Sequence, residues 1–387
     1  MKIRILLVLF LMSCAVFSQK RYEKINSKKL GAERELIISL PASYESDTKK
    51  KYPLVLLLDG DYLFDPFYGA MEYANYWDDM PEVILVGVIQ NKNEERYTDC
   101  ELDRETGLPD TNGEKFFEFI SMEVVPMLEK NYRIAPFKVI AGHDTTAAFI
   151  NLYLYKETPL FEAYISLSPE LGKDMETHLP ERLSKISKPI YYYHATADGD
   201  IKKMRARIQK LDEAAKAVKN PAVSYKFDDF VGASHYSLVL YAIPSALYQF
   251  FSVYQPISTQ EFQEKIVKLE SGYVDYLKQK YETIEKSLNI KMPIRLNDFR
   301  AIEAAIVKNN DLNEFDALSV LANKNYPKTM LADYYMAQMY ERKGDFKRAQ
   351  KAYMKAFQME PIAELNKDMM FDKAEDMKKF EKNNVQD

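Results

Sequence analysis

Asp144 stands where a nucleophile would be expected. The stretch Phe137-Lys-Val-Ile-Ala-Gly-His-Asp-Thr-Thr-Ala-Ala-Phe-Ile150 reads as a buried strand that breaks through Gly142 into an amphipathic helix, with Asp144 at the apex. A β-branched run, a glycine two residues before the apex and a helix directly after it form the pattern of a nucleophile elbow, whose sharp turn lifts one side chain clear of a sheet. The usual apex residue is serine, and a carboxylate changes the chemistry. Its attack on an ester carbonyl gives a mixed anhydride, higher in energy than a serine ester, whereas its attack at a saturated carbon gives an alkyl ester that water can cleave. Asp at a helix start also has a structural use, because it accepts backbone N–H bonds and suits the positive end of the dipole, worth about 0.5–2 kcal/mol.

The elements around this turn alternate between strand and helix. Leu36 to Leu40, Pro53 to Leu58 and Val83 to Ile89 are short apolar runs, and the second ends in Asp59-Gly60, a tight-turn signal at a strand's C-terminal edge. Asn91 to Gly113 is polar and long enough for a functional loop. Phe116 to Tyr132 has helical periodicity. Strands are then expected at Ala163 to Leu167, Pro189 to His194 and Val223 to Phe227, with helices at Ile201 to Val218 and Tyr236 to Val253. Such alternation predicts a mostly parallel sheet covered on both faces.

The chain is 387 residues long, 47% hydrophobic, with a formal charge of −5. It is long enough for one large core and more than one domain. No run of Lys and Arg interleaved with aromatics is present, so nucleic acid is not an expected partner. Met1 to Arg4 followed by the apolar run Ile5 to Phe17 reads as an export signal, with cleavage after Ser18 and a periplasmic or secreted product. The alternative is a lipid anchor through Cys14, since Leu11-Met-Ser-Cys14 approximates a lipobox. After cleavage at Ser18 only Cys100 remains, which excludes an internal disulfide or a cysteine zinc site. No later segment is apolar enough to span a membrane.

Leu57-Leu-Asp-Gly-Asp61, Arg96 with Asp99, Glu123-Val-Val-Pro126, Asn131-Tyr-Arg133, Ala141-Gly-His143, Leu160-Phe161 and Ser168-Pro169 resemble, in order and spacing, the esterase D type of esterases. That α/β-hydrolase group includes siderophore esterases and S-formylglutathione hydrolase, and the likeness covers roughly residues 30 to 252. It implies an α/β-hydrolase three-layer fold and a Ser, acid, His triad in that chain order. By this resemblance the histidine is His235, the acid is Asp198 or Asp200, and the nucleophile position is Asp144, with Thr146 where a small residue is expected. Oxyanion and substrate contacts fall on Gly60, Asp61 and Tyr62, on Thr145 after the apex, and on His143 and Arg96.

Asp144 in place of serine leaves two readings open. One is a degenerate esterase that binds a ligand or protein without turnover. The other is an active hydrolase of esters or related bonds that uses His235 with Asp144, Ser168 or Ser234. Among α/β-hydrolases, dehalogenases and epoxide hydrolases carry an Asp at this position, often in His-Asp-Trp-Gly; His143-Asp144 matches half of that motif. Ser168 otherwise ends a strand and Ser234 caps a helix. Arg96 and Asp99 read by default as an exposed salt bridge. His194 reads as a hydrogen-bonded core residue and His178 as solvated. His143, Asp144, Asp198, Asp200 and His235 lack local metal-ligand spacing, and no metal or cofactor is expected.

The hydrolase-like domain is therefore read as residues 19–255 and an all-α domain as 256–387. Within the latter, Met330 to Met359 with Ala337, Gly344-Asp345, Ala349, Ala356 and then Pro361 resembles one tetratricopeptide repeat, about 328–361. Asp311-Leu312, Ala322 and Pro327 echo it as a degenerate copy. The expected partners are a small ester-like ligand, or a peptide or protein at the C-terminal helices.

Overall fold

The computed structural model describes residues 20–384, so the expected export signal lies outside the described residues. Two compact units meet between Ser252 and Val253. The first is built on an eight-stranded sheet in the order β1-β2-β4-β3-β5-β6-β7-β8. Its strands are β1 Lys20–Ser27, β2 Ala32–Ser39, β3 Tyr52–Leu57, β4 Ile84–Val88, β5 Ile134–His143, β6 Ala163–Leu167, β7 Ile190–Gly199 and β8 Val223–Ser234. The β1/β2 and β2/β4 pairs are antiparallel and the rest are parallel. β3, β4 and β6 are buried along their whole length, which is why they read as continuous apolar runs.

The helices of this unit are α1 Gly60–Tyr76, α2 Glu95–Asp99, α3 Thr111–Glu118, α4 Val125–Asn131, α5 Thr145–Ile150, α6 Met175–Lys185, α7 Lys202–Lys216 and α8 Leu238–Phe250. α2 lies inside the stretch expected to be an irregular loop. The single helix expected from Phe116 to Tyr132 is divided by a π-helical turn, Phe119–Val124, in which the Val125 N–H bonds to Ile120 O, five residues back. Pro126 follows at the first turn of α4 and has no N–H to continue the regular ladder, so the helix widens before it. Glu123 on that turn accepts from Ser27 Oγ and from the Lys28 and Lys29 backbone N–H groups of the β1–β2 hairpin, the latter two at 2.9 and 3.3 Å.

The second unit carries α9 Thr259–Glu264, α10 Tyr273–Leu288, α11 Leu296–Lys308, α12 Glu314–Asn325, α13 Leu331–Arg342, α14 Phe346–Phe357 and α15 Lys367–Asn384. Between α13 and α14, Gly344 takes φ 76°, a left-handed turn position that favours glycine. Asp345 then caps α14 through the Arg348 N–H at 3.1 Å. Ala337, Ala349 and Ala356 are fully buried, so the small side chains let these helices approach closely. No described helix is long and apolar enough to cross a membrane.

Candidate active site

Six consecutive chain segments deliver polar groups to one edge of the sheet, just beyond the C-terminal ends of its parallel strands. Asp59 follows β3, Gln90 and Arg96 follow β4, Asp144 follows β5, Ser168 follows β6, Asp200 follows β7 and His235 follows β8. Ligands of open α/β sheets bind at this edge.

Asp144 has φ 61° and ψ −118°, a conformation that costs a non-glycine residue about 1–3 kcal/mol. The turn is tight: a Cβ on Gly142 would lie 2.7 Å from the Thr146 carbonyl carbon. His235 presents Nδ1 to Asp200 Oδ1 at 2.7 Å and Nε2 to Asp144 Oδ1 at 3.9 Å. Asp200 is thus the acid facing the histidine. Its other oxygen accepts from Ser168 Oγ and Thr196 Oγ1, each at 2.6 Å, and from the Ala197 N–H at 3.0 Å. Asp198 is exposed and accepts from the Gly232 N–H at 2.9 Å, so it ties the β7 end to β8 instead of facing His235. A register shift near the end of the β7/β8 pair separates the two acids.

The two alternative serine nucleophiles are placed elsewhere. Ser168 is fully buried with its hydroxyl committed to Asp200, and Ser234 Oγ accepts from the Ser237 N–H at 3.0 Å before α8. His194 is buried, with Nε2 2.6 Å from the Tyr225 hydroxyl, while His178 is exposed.

Asp59 was legible as the end of a strand, but its role was not. Its carboxylate is fully buried, and Arg96 donates to it from Nε at 2.6 Å and from Nη2 at 3.4 Å. Thr146 Oγ1 lies 2.5 Å from Asp59 Oδ2 and the Tyr62 hydroxyl 2.9 Å. The exposed Arg96–Asp99 pair expected from sequence does not form. α2 turns both side chains inward, where Arg96 also donates to His143 O at 2.8 Å while Asp99 accepts from Arg34 at 2.6 Å. Gln90 joins these groups: its Oε1 accepts the Asp59 N–H at 3.0 Å and its Nε2 donates to Asp99 at 3.1 Å. Arg96 reaches Asp144 Oδ2 only at 3.5 Å.

The remaining expected site residues line the same edge. Gly60 opens α1, and its Cα packs so closely on Gly87 that a Cβ would meet the Gly87 backbone at 2.7 Å. The first-turn N–H groups of a helix lack intrahelical acceptors and are the kind of donor an oxyanion uses. Asp61 accepts the Gln90 N–H at 2.9 Å. The Tyr62 hydroxyl turns inward, 3.0 Å from His143 Nδ1, and His143 Nε2 lies 3.0 Å from His235 O. A carbonyl only accepts, so His143 carries its proton on Nε2. Thr145, next after the apex, opens α5, with Oγ1 at 3.4 Å from both Asp144 and Glu170.

Electrostatics separates the two histidines. His143 is pushed down to about 4, first by burial and then by the neighbouring His235. His235 moves up, first because it bonds Asp200, with burial opposing and Asp144 assisting. Asp200 is lowered to about 2: burial opposes its charge, but His235, Ser168 and Thr196 together outweigh that. Burial raises Asp59 above its ordinary range despite Arg96. Arg96 pays the same burial penalty, but Asp59 holds its guanidinium protonated. A histidine raised in the fold adds stability that is full below its unfolded value, near ~6.5, and lost as pH rises through the folded value. For His143 the sign reverses, its contribution being present above ~6.5 and lost as pH falls toward about 4. An NMR titration should show His235 protonating above an ordinary histidine, and Asp200→Asn should bring it down; an unmoved His235 in that variant would contradict the pairing.

Strand order, elbow and the placement of acid and histidine give the first unit an α/β-hydrolase fold. Residues 27–209 match the sequence model of the family described as "Putative esterase". An uncharacterised protein from Capnocytophaga ochracea is 30% identical, with a TM-score of 0.84 over 93% of this chain and 100% of that one. The chain belongs to this esterase family. An IroE-like serine hydrolase from Shewanella oneidensis shares the fold at 18% identity and a TM-score of 0.60, covering 79% of this chain and 99% of its own. The BES protein from Bacillus cereus does so at 22% identity and 0.53, covering 61% and 97%. No curated protein matches the chain in sequence.

Proposed function

We propose that this protein is an exported binding protein on an esterase scaffold, with the ester-cleaving step silent. One observation carries the reading: the elbow presents a carboxylate 3.9 Å from His235 Nε2, where a hydrolase of this kind needs a hydroxyl. His235 then lies between two carboxylates that favour its imidazolium, a form that cannot accept a proton. The Asp59, Arg96, Asp144, His235, Asp200 chain alternates in charge and is self-consistent without substrate. The helical unit supports a binding role through its tetratricopeptide-like hairpin. A small cleft there, of about 30 Å³, is lined among others by Leu296, Arg300, Tyr334, Tyr335 and Leu365.

A second reading rests on the strain retained at Asp144, since a retired elbow has no need of a left-handed Asp. In it, Asp144 attacks a saturated carbon, displacing halide from a haloalkane or opening an epoxide to its alkoxide, and a water activated by His235 cleaves the alkyl ester. The two separate in one experiment. The wild type and His235→Ala are incubated with acyl esters, epoxides and haloalkanes, with turnover and denatured mass recorded. The binding reading expects no turnover and no adduct. An alkyl adduct on Asp144 that accumulates in His235→Ala would establish the second, and acyl-ester turnover lost in that variant would overturn the first.

A further inference from the structure

α8 carries no charged residue. It reads LVLYAIPSALYQF, and opposite its buried side Leu240 and Tyr241 are 64% and 60% exposed, with Pro244 and Tyr248 exposed on the same side in the next turns. A helix apolar on every side is ordinarily covered on every side. α7 has the usual pattern instead, with Lys202, Lys203, Lys210 and Glu213 on its open side.

α8 lies along β8, the 12-residue strand that ends the sheet. Lys226 Nζ reaches Ser245 Oγ at 2.7 Å, Gln249 Nε2 donates to Ser224 O at 3.1 Å, and the Phe230 and Tyr241 rings stand 5.8 Å apart. The apolar side of the helix therefore meets the strand at Tyr241. β8 bonds to β7 on one side only, so on its other side alternate backbone groups face no strand. Such an edge accepts another strand readily, and charged side chains ordinarily guard it.

The charges on β8 admit one partner in one register. Two copies paired antiparallel here share a twofold axis perpendicular to the sheet, and each residue faces the one equally far beyond the axial residue in the other copy. An axis at Lys226, Asp228 or Asp229 sets like charges face to face, which is destabilising. An axis at Tyr225 or Phe230 leaves every charge on the strand opposite an uncharged residue. At Phe227 the axis sets Lys226 opposite Asp228 of the second copy, twice by symmetry, with Phe227 on Phe227 and Val223 on Val231. Within one chain Lys226 Nζ and Asp228 Oδ2 are 3.6 Å apart, so lysines and aspartates alternate around the junction on the face that α8 covers.

We propose that the open edge of β8 and the apolar side of α8 form an interface with a second copy of this chain, in a twofold dimer whose axis passes at Phe227. This interface does not depend on whether the strand-end site binds or cleaves. The full-length mature protein is followed by sedimentation velocity across a dilution series, and a dimer is expected in the micromolar range. Tyr241→Glu, on the exposed side of α8, and the single variants Lys226→Asp and Asp228→Lys should each weaken it by roughly tenfold or more. An equimolar mixture of Lys226→Asp and Asp228→Lys should recover the dimer, because every cross-strand charge pair is then opposite in sign. A wild type that is monomeric throughout the micromolar range overturns the proposal, as does a dimer indifferent to Tyr241→Glu. A dimer lost in both charge variants and not recovered on mixing overturns it too.

Discussion

Asp144→Ser should turn the protein into a measurable esterase. The parts that a serine would need are assembled: a left-handed apex at φ 61°, His235 across from it, and Asp200 bonded to His235 at 2.7 Å. Asp200 is in turn fixed by Ser168, Thr196 and the Ala197 N–H. Removing the carboxylate also removes one of the charges that raise His235, so the imidazole returns toward the neutral form a general base requires. General-base assistance contributes about 10²–10⁴ in rate, so p-nitrophenyl acetate hydrolysis should rise at least ~100-fold over wild type. The decisive comparison is Asp144→Ser with His235→Ala added. If the double variant is as active as the single one, the new activity does not come from this triad and the interpretation fails.

The second large effect concerns stability. Arg96→Leu should destabilise the first unit by about 3–5 kcal/mol, because it strips the cation from a carboxylate with no access to water. Thr146 would still donate to Asp59, but a hydroxyl dipole does not replace a guanidinium 2.6 Å away. Replacing both members, Asp59→Asn with Arg96→Leu, should recover a large part of the loss, giving a coupling energy well above the ~0.5 kcal/mol expected of independent sites. Urea denaturation of the four proteins measures it. A loss below ~1 kcal/mol for Arg96→Leu would mean that Asp59 is not held as a buried anion.

The sheet was readable from sequence wherever strands are buried on both faces, since β3, β4 and β6 appear as short, mainly apolar runs. β1 was not, because Lys20–Ser27 is an edge strand with charged residues on its open side and no apolar periodicity. α1 was hidden by Gly60 at its start and Pro66 within it. The elbow at Asp144 and the place of His235 could be read because local pattern and family likeness coincide there. The choice of Asp200 over Asp198 could not, since it depends on an irregularity in pairing with β8. The partner of Arg96 was missed for a similar reason. Asp99 is near in sequence, but the five-residue α2 directs Arg96 across the sheet edge to Asp59, and only the strand order 4-3-5 makes them neighbours. Gln90 and Glu170 carried no local signal of their own.

The π-helical turn has a consequence for how the molecule opens. Its extra residue rotates Glu123 toward the hairpin, where one carboxylate takes Ser27 Oγ and two backbone N–H groups. A terminal hairpin at the rim of a sheet would ordinarily fray alone, at little free energy. Here the rim is latched to a helix whose other side, through Phe116, Phe119 and Val124, is part of the main core. Edge and core are therefore tied together at the turn, and opening the hairpin requires breaking the Glu123 contacts as well as the β1/β2 ladder.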